Sequence, residues 1–572
     1  NNVRQEYNLS VSGASDKMNY YMSAGYLDDQ GIVPNSGFQR YSARLKADYQ
    51  VKPWLKLGAN VSFTHYDSRE QDTEGGTSNA NIFYASNIMG AIYPMYIRDA
   101  QGNIMTDNRG FQRYDYGKKG QDTNGSRNTI PNANPLASYM LDKMKYSGDV
   151  VSGKWFADVD IWGGIKAKVN IGVDANNVRN TDMVNPFYGQ YSETTGVGGL
   201  ISVSTQRTFS VNQQYLLTYN KTFDDVHNLD VLAGHENYNY KYQYLYGQRE
   251  KLYNPNVPEL DNGISNQYNS SYSKDYATEG WLFRVQYDYD GKYFGSASYR
   301  RDASSRFHPD NRWGNFWSFG ASWRISQEDF MENLTWVDNL KLRASYGETG
   351  NDAIYYTDDD TQQDYYPYQT LYNLGINNGL EAGLYFPTMA NNNLKWETQV
   401  STDVALEFGL FGRLNGTVEF FRKASRDLLF NVSQPLSSGV EKIVQNIGKV
   451  RNQGVEIDLN YQVLKSKDWK LSVGANATFI NNKVTRLPDA NRKDGIIKDS
   501  KKLMEGHSIY EFWLRQWWGV NPDNGDGLYI FDAENNTDAN GNIKDAVKKT
   551  LVEKDGQVLT NSYSYAKYDF SG

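Results

Sequence analysis

Residues 293–323 read YFGSASYRRDASSRFHPDNRWGNFWSFGASW, and this stretch decides the fold class. Small and aromatic residues alternate with polar ones at its start, and the alternation returns at its end. The apolar sets are Tyr293, Gly295, Ala297 and Tyr299, then Phe319, Ala321 and Trp323. A period of two is typical of a strand whose two faces have different surroundings. The charged, turn-rich middle therefore predicts a loop between two antiparallel strands.

The composition favours one large β architecture. The chain has 572 residues, a net charge of −8, no cysteine, and no Pro/Ser-rich spacer that would mark a linker. Its mean hydropathy is −0.71, yet 14% of its residues are aromatic, with 45 Tyr against 24 Phe. Tyrosine is common where one end of a ring is dry and the other is wet. These numbers fit a wet soluble β protein or an outer-membrane barrel with aromatic girdles.

Strand-like alternation recurs along the chain in pairs of segments joined by short turns. The predicted strands are Tyr7–Gly13, Met18–Asp28, Gln39–Val51, Trp54–Tyr66, Val151–Ile161, Ile165–Val178, Arg207–Thr222, Asn228–Tyr244, Asp275–Asp290, Lys292–Arg300, Ser318–Ile325, Asn339–Gly347, Ser401–Leu410, Arg413–Ala424, Gly454–Leu464 and Trp469–Ile480. Ser326–Val337 is predicted to hold a short helix. About 16 strands follow, and most are longer than the usual globular strand.

The connections between these strands alternate between short turns and long loops. The predicted long loops are Asp29–Phe38, Ser68–Asp149, Arg179–Gln206, Leu245–Lys274, Arg301–Phe316, Glu348–Glu397, Ser425–Arg451 and Asn481–Glu511. Transmembrane barrels have short turns on one rim and long loops on the other. The sequence therefore predicts an all-β fold, a large antiparallel transmembrane β-barrel with short periplasmic turns and long extracellular loops.

The barrel interpretation assigns the two faces of every strand. In Gly454–Leu464, the residues predicted to face lipid are Val455, Ile457 and Leu459. Those predicted to face a wet lumen are Glu456, Asp458 and Asn460. A soluble sandwich would turn the same apolar set inward, and alternation alone does not separate the two folds. The loop asymmetry and the number of strands favour the membrane.

The sequence contains no pattern that we interpret as a catalytic, metal or cofactor site. Gly148–Lys154 has phosphate-loop spacing but opens a strand, and the five histidines lack the spacing of a zinc helix. Asp523–Gly527 and Asp538–Asn542 are interpreted as turns rather than calcium loops. We expect Asp358, Asp359, Asp360 and Asp364 to be solvated. Arg300, Arg301, Arg306 and Arg312 lie among acidic residues, which predicts salt bridges and not nucleic-acid binding.

Several motifs, in their order and spacing, resemble the SusC/RagA-like subfamily of TonB-dependent outer-membrane transporters over nearly the whole chain. The motifs are YNLSVSG at 7–13, NYYMSAGYLD at 19–28, RYSARL at 40–45, RD at 301–302, SSRF at 304–307, LKLRASYGETGN at 340–351, NLKWET at 393–398, RDLL at 426–429 and NIGKVRNQGVE at 446–456.

The resemblance implies a role that the residues alone do not give. It implies import of oligosaccharides, or alternatively oligopeptides, across the outer membrane of a Gram-negative bacterium. The implied partners are a SusD-like lipoprotein lid, the TonB complex, outer-membrane lipid and a second transporter–lid pair. It also implies a barrel of about 22 strands, of which residues 1–572 would supply about 16. The plug domain and TonB box of the family do not occur in this sequence.

Tyrosines in the loop Glu348–Glu397 are the candidate substrate-binding residues. The segment Asp364–Tyr372 reads DYYPYQTLY and holds Tyr365, Tyr366, Tyr368 and Tyr372. A tyrosine ring offers an apolar face to a sugar and a hydroxyl to its polar rim. A peptide would use the same rings, and the rings could instead pack the loop or contact the lid.

Two other classes of function fit the residues. A passive porin or adhesin would share the barrel and lack a plug domain. A secreted glycan-active enzyme of sandwich fold would not need detergent, although no catalytic constellation supports it.

Overall fold

The computed structural model describes residues 3–70, 82–108, 110, 112–117, 126–129, 134–187, 191–192, 196–355, 362–374, 383–385, 389–440, 442–538 and 540–571. It divides into two compact units. The first comprises Asn1–Tyr219 and Leu232–Trp281, and the second comprises Asn220–Val231 and Leu282–Gly572. No helix in the described ranges is long and apolar enough to cross a membrane.

The first half of the chain is built from long strands and two short helices. In order, these are β1 Arg4–Ala14, β2 Met18–Gln30, β3 Gly37–Lys52, β4 Leu55–Arg69, α1 Ile82–Ile88, α2 Pro135–Leu141, β5 Lys143–Trp162, β6 Ile165–Val184, β7 Leu200–Phe223, β8 His227–Leu252 and β9 Gly263–Tyr289. In the first unit, β1 to β7 each pair antiparallel with the next strand.

The second half has further long strands and several short ones. In order, these are β10 Tyr293–Ser304, β11 Trp313–Arg324, β12 Val337–Asn351, β13 Asn373–Leu374, β14 Leu384–Tyr385, β15 Glu397–Leu410, β16 Leu414–Arg426, β17 Leu429–Ser433, β18 Lys442–Asn446, β19 Lys449–Lys465, β20 Lys470–Arg486, β21 Ile496–Lys498, β22 Lys501–Leu503, β23 Phe512–Arg515, β24 Trp517–Val520, β25 Gly527–Ile530, α3 Ala533–Asn536, α4 Asp545–Lys548, β26 Leu551–Lys554, β27 Gln557–Thr560 and β28 Tyr568–Ser571.

In the second unit, the long strands pair antiparallel in the order β10, β11, β12, β15, β16, β19 and β20. The short strands form separate small sheets: β13 with β14, β17 with β18, a sheet ordered β21–β22–β23–β28, and a sheet ordered β24–β25–β27–β26. The sequence analysis did not predict these small sheets, because their strands are only two to five residues long.

All sixteen predicted strands are present, but many extend further toward the long loops. β8 continues to Leu252 and β9 begins at Gly263, so the predicted loop Leu245–Lys274 was too long. Likewise, only residues 31–36 separate β2 from β3. Alternation fades near the loop ends because both faces become wet there, so the pattern no longer marks the strand.

Local chemistry explains the hairpin turns and one wrong prediction. Gly163 and Gly164 both have positive φ, 60° and 93°, which a tight turn between β5 and β6 requires and glycine adopts freely. The helix predicted in Ser326–Val337 is wrong. Two 3-10 turns, Ile325–Gln327 and Asp329–Met331, stand in its place. Between them, Glu328 accepts a hydrogen bond from the Trp323 Nε1–H at 2.8 Å.

One face of the second unit's long strands is apolar and exposed, and we call it the strand wall. Leu342 lies opposite Leu406, Leu406 opposite Val418, and Val418 opposite Ile457. Leu342, Leu406 and Val418 are 38–40% exposed, so they do not form a protein core. Because a soluble sandwich would bury this face, the strand wall supports the membrane interpretation.

Candidate functional site at the long loops

The connections of the second unit share a dry core, which we call the loop base. It consists of Phe307, Ile354, Leu394 and the half-buried Trp396. Phe307 is fully buried, and its ring lies 5.6 Å from that of Trp396. The Trp396 indole N–H also donates to the Arg312 carbonyl at 2.7 Å. Residues about 90 positions apart are thereby fixed together.

A buried arginine ties the loop base to the next connection. Arg306 is only 4% exposed, and its Nη1 donates to the Asp352 carbonyl at 3.0 Å and to Asp352 Oδ1 at 3.3 Å. Its Nη2 donates to Gln363 Oε1. The Ser304 hydroxyl donates to the other Asp352 oxygen at 2.6 Å. Removal of one member of such a buried pair is costly because a charge then stays without its partner.

The tyrosine segment, Asp364–Tyr372, is anchored on this base. Asp364 is buried, and its backbone N–H donates to the Ile354 carbonyl at 2.8 Å. Its Oδ1 accepts the Tyr366 N–H at 2.8 Å, which closes an Asx turn. Asp364 is therefore not solvated, contrary to the prediction. Asp358, Asp359 and Asp360 lie outside the described residues.

The four candidate tyrosines have different surroundings. The Arg306 guanidinium lies 5.2 Å from the Tyr365 ring centroid, a cation–π distance. The Tyr368 ring meets His308 edge-on at 6.0 Å, and its hydroxyl accepts from Gln369 Nε2 at 2.8 Å. Tyr366 is half-buried. Tyr372 is 56% exposed, so the segment runs from packed rings to an open one.

Other sequence predictions have structural outcomes. The basic cluster does form salt bridges, with Arg300 to Asp302 at 2.8 Å and Arg306 to Asp352, although the partner Asp352 was not foreseen. Gly148–Lys154 lies inside strand β5. Asn521, Asn524 and Asp538 side chains close turns by accepting backbone N–H groups, which confirms the turn interpretation.

The face opposite the strand wall is polar and charged. Arg343 Nε donates to Glu407 at 2.8 Å, and its Nη2 donates to Glu419. The Ser345 hydroxyl donates to Asp403 at 3.3 Å. A cavity of about 670 Å³ opens here, with Lys341 among its lining residues. Among the described residues, no group of three His, Cys, Asp or Glu side chains could hold a metal ion, so this face suits polar solutes rather than metal chemistry.

A second cavity lies among the loops of the first unit. Its volume is about 660 Å³, and its lining includes Arg69, Asp142 and Glu259. Burial, together with nearby Asp182, raises the pKa of Asp142 to about 6, although Asn185 donates to this carboxylate from its backbone N–H at 2.9 Å and from its side chain at 2.6 Å.

Comparison with known proteins agrees with this architecture. The chain is 28% identical over 549 residues to the TonB-dependent receptor P39 of Formosa agariphila, covering 93% of this chain and 48% of that protein. It is 26% identical over 606 residues to the TonB-dependent receptor SusC of Bacteroides thetaiotaomicron, covering 100% and 57%. The chain thus spans about half the length of these relatives.

A solved structure also matches along almost the whole chain. The RagAB peptide transporter superposes with a TM-score of 0.80 at 25% identity, covering 99% of this chain and 58% of that one. These matches confirm the SusC/RagA-like resemblance. The matched proteins are receptors and a transporter, not enzymes, which agrees with the prediction of no catalytic activity. Residues 96–571 match the model of one family, and the chain belongs to that family, the TonB dependent receptor-like β-barrels.

Proposed function

We propose that this chain forms the barrel of a transporter that imports oligosaccharides across the outer membrane of a Gram-negative bacterium, driven by TonB. The observation that carries the proposal is the likeness to SusC over the full length of the chain. The exposed strand wall supports a membrane location, because lipid is the solvent that tolerates such a surface.

In this proposal, residues 1–572 are the barrel portion of a longer protein. The greater length of the relatives is consistent with a plug domain and TonB box elsewhere in the intact protein. A SusD-like lipoprotein closes the extracellular mouth, and two transporter–lid pairs associate as a dimer. No cofactor is required, because import depends on binding and on force from the TonB complex.

The tyrosine segment supplies the substrate contacts in our proposal. Tyr368 and Tyr372 are its more accessible rings, and each can stack an apolar face on a sugar ring. Tyr366 adds a half-buried ring beside them. Tyr365, packed under Arg306, chiefly holds the segment in place while its edge contacts the ligand. The buried Asp364 fixes the backbone, so the rings are preorganised and lose little entropy on binding.

Oligopeptide import is the second candidate. It is favoured by the 0.80 TM-score to the RagAB peptide transporter. The same rings could pack against peptide side chains, and the backbone of an extended peptide could bond to the loop amides. A passive porin or adhesin is the further alternative, and it predicts uptake without TonB.

Calorimetry on the intact transporter with its lid lipoprotein tests the site. We expect Tyr366→Ala and Tyr368→Ala to weaken oligosaccharide binding about 5- to 150-fold, or ~1–3 kcal/mol for a fully engaged ring. Tyr368→Phe keeps the ring and should lose less affinity. Tyr461→Ala, on the strand β19 and far along the chain from the segment, is the control and should bind normally.

The outcomes separate the candidates. Binding of peptides alone would replace oligosaccharides by peptides as the substrate and leave the importer intact. Unchanged affinity in both alanine variants would make the tyrosines structural. Uptake that persists in cells without TonB would contradict active import and support the porin.

A further inference from the structure

The strand wall ends in an aromatic rung near the loop ends of β16, β19 and β20. Phe420 lies opposite Val455, and Val455 lies opposite Phe479. Phe420 is 47% exposed and Phe479 66% exposed. Such a rung marks the upper edge of the surface that contacts lipid chains.

The same face becomes cationic immediately above this rung. The next rung toward the loops is Arg422, Gln453 and Asn481, and the one after it is Ala424, Arg451 and Lys483. Side chains two residues apart on a strand share a face, so all six continue the strand wall. Arg422, Arg451 and Lys483, which we call the cationic patch, lie within about 5–8 Å of one another at Cβ.

Little compensates this positive charge. None of the three side chains forms a salt bridge in the ranges that the structure describes. Glu348 shares their face but lies two strands from β16 and is bonded by the Tyr346 hydroxyl at 2.6 Å. Glu511, near Lys483, is bonded by His507 at 2.8 Å and by the Ser508 N–H at 3.0 Å.

The cationic patch is unfavourable without an anion. Arg451 and Lys483 are directly opposed across two strands, and like charges in that relation repel. The Arg451 Nε is also buried and makes no hydrogen bond within the described part of the chain. A bound anion would relieve both costs.

The first unit provides the contrast. On β4, His65 follows the exposed Phe63 by two residues, as Arg422 follows Phe420. Here, however, the charges are paired. The pairs are His65 with Asp149 at 2.8 Å, Lys145 with Asp67 at 3.0 Å, and Arg179 with Glu259 at 2.8 Å. Uncompensated charge above the apolar band is therefore a specific feature of β16, β19 and β20.

We propose that the cationic patch binds the phosphate-bearing headgroup of a lipid in the outer leaflet. The guanidinium groups of Arg422 and Arg451 match phosphate oxygens with paired N–H donors, and Lys483 adds a point charge. The acyl chains lie against Phe420, Val455 and Phe479 directly below. This inference rests on the outer-membrane location proposed above, and the headgroup would fix one side of the barrel in the leaflet.

Native mass spectrometry of the intact receptor in detergent tests the site, with monophosphoryl lipid A as the probe. Each basic residue near an anionic lipid surface contributes about fivefold in affinity, so Arg451→Gln with Lys483→Gln should weaken retention about 30-fold. The matched control replaces two paired cations of the first unit, Lys145→Gln with Arg179→Gln, and should stay within about twofold of wild type.

Further arms keep the result decisive. Arg451→Lys, which retains the charge, should hold the lipid better than Arg451→Gln and shows that the fold is intact. Inorganic phosphate at millimolar concentration should not displace the lipid, because it lacks chains to contact the strand wall. Equal retention of zwitterionic phosphatidylcholine, displacement by inorganic phosphate, or an unchanged double variant would each overturn the site. If uptake still required TonB, the proposed function would survive that failure.

Discussion

The loop base and the strand wall are two apolar surfaces of the second unit, and they are completed in opposite ways. At the loop base, Phe307 and Leu394 are fully buried by protein. On the strand wall, Leu406 and Val418 stay nearly two-fifths exposed although they share a continuous apolar face. One surface is a small protein core, and the other needs a lipid solvent.

This difference teaches where the chain stores its specificity. The strand wall requires only that each side chain be apolar and roughly membrane-compatible, because lipid adapts to its shape. The loop base requires particular shapes, because protein interiors are close-packed. It also holds a charged group, Arg306, whose desolvation is tolerated only through its bonds to Asp352 and Gln363. Substitutions should therefore affect the two surfaces by different rules.

The largest effect is expected from a cavity at the loop base. Phe307→Ala should cost ~3–5 kcal/mol of local stability, because the fully buried ring leaves a void beside Ile354 and Trp396. Hydrogen exchange should rise in residues 352–355 and 389–396 while the long strands keep their protection. Phe319→Ala, which removes an exposed wall ring, is the control. Equal effects of the two variants would erase the distinction between the surfaces.

The next effect tests the two faces of β19. Ile457→Arg places a charge on the strand wall and should cost ~2–4 kcal/mol in a bilayer, whereas Asp458→Arg on the polar face should change stability little. Denaturant unfolding in vesicles measures both. Single cysteines sharpen the result, because a water-soluble maleimide should label Glu456→Cys faster than Ile457→Cys. The reverse order would contradict the barrel orientation.

The sequence predicts these two surfaces unequally. The strand wall is predictable, because Val418 and Ile457 each sit in a run of strict alternation that local sequence displays. The loop base is not, because Phe307, Ile354 and Leu394 meet across 47 and 40 residues of irregular chain. No periodicity marks such contacts. The SSRF motif was visible as part of a resemblance, but nothing in it indicated that Asp352 would neutralise Arg306.

The candidate site divides in the same way. The crowding of Tyr365, Tyr366 and Tyr368 was visible in the sequence, whereas their unequal exposure depends on Arg306 and His308, which lie on another connection. The burial of Asp364 was missed, since a single aspartate in a polar loop gives no sign of an Asx turn.

A smaller effect is expected on the polar face behind the strand wall. Arg343→Met leaves Glu407 and Glu419 without their shared cation and should cost about 1 kcal/mol, because all three side chains are partly solvated. Adding Glu407→Gln and Glu419→Gln should restore most of the loss. Thermal unfolding of the three forms gives the coupling energy. A triple variant as unstable as Arg343→Met would show that packing, not charge, explains the loss.

The smallest effect concerns a loop base with a buried acid instead of a paired arginine. Burial beside Asp182 raises the pKa of Asp142 to about 6, against about 3.9 in an unfolded chain. Between these values the folded protein keeps a proton that the unfolded chain releases, so stability falls as pH rises from about 4 to 6 and the penalty is complete above that range. Hydrogen exchange in residues 134–144, corrected for the intrinsic pH dependence, should therefore be slower at pH 5 than at pH 7.5. Asp142→Asn should remove this dependence, while Asp149→Asn, at an exposed carboxylate, should keep it. A pH dependence that survives Asp142→Asn would assign it to another group and leave Arg306 as the sole charged device of the two loop regions compared here.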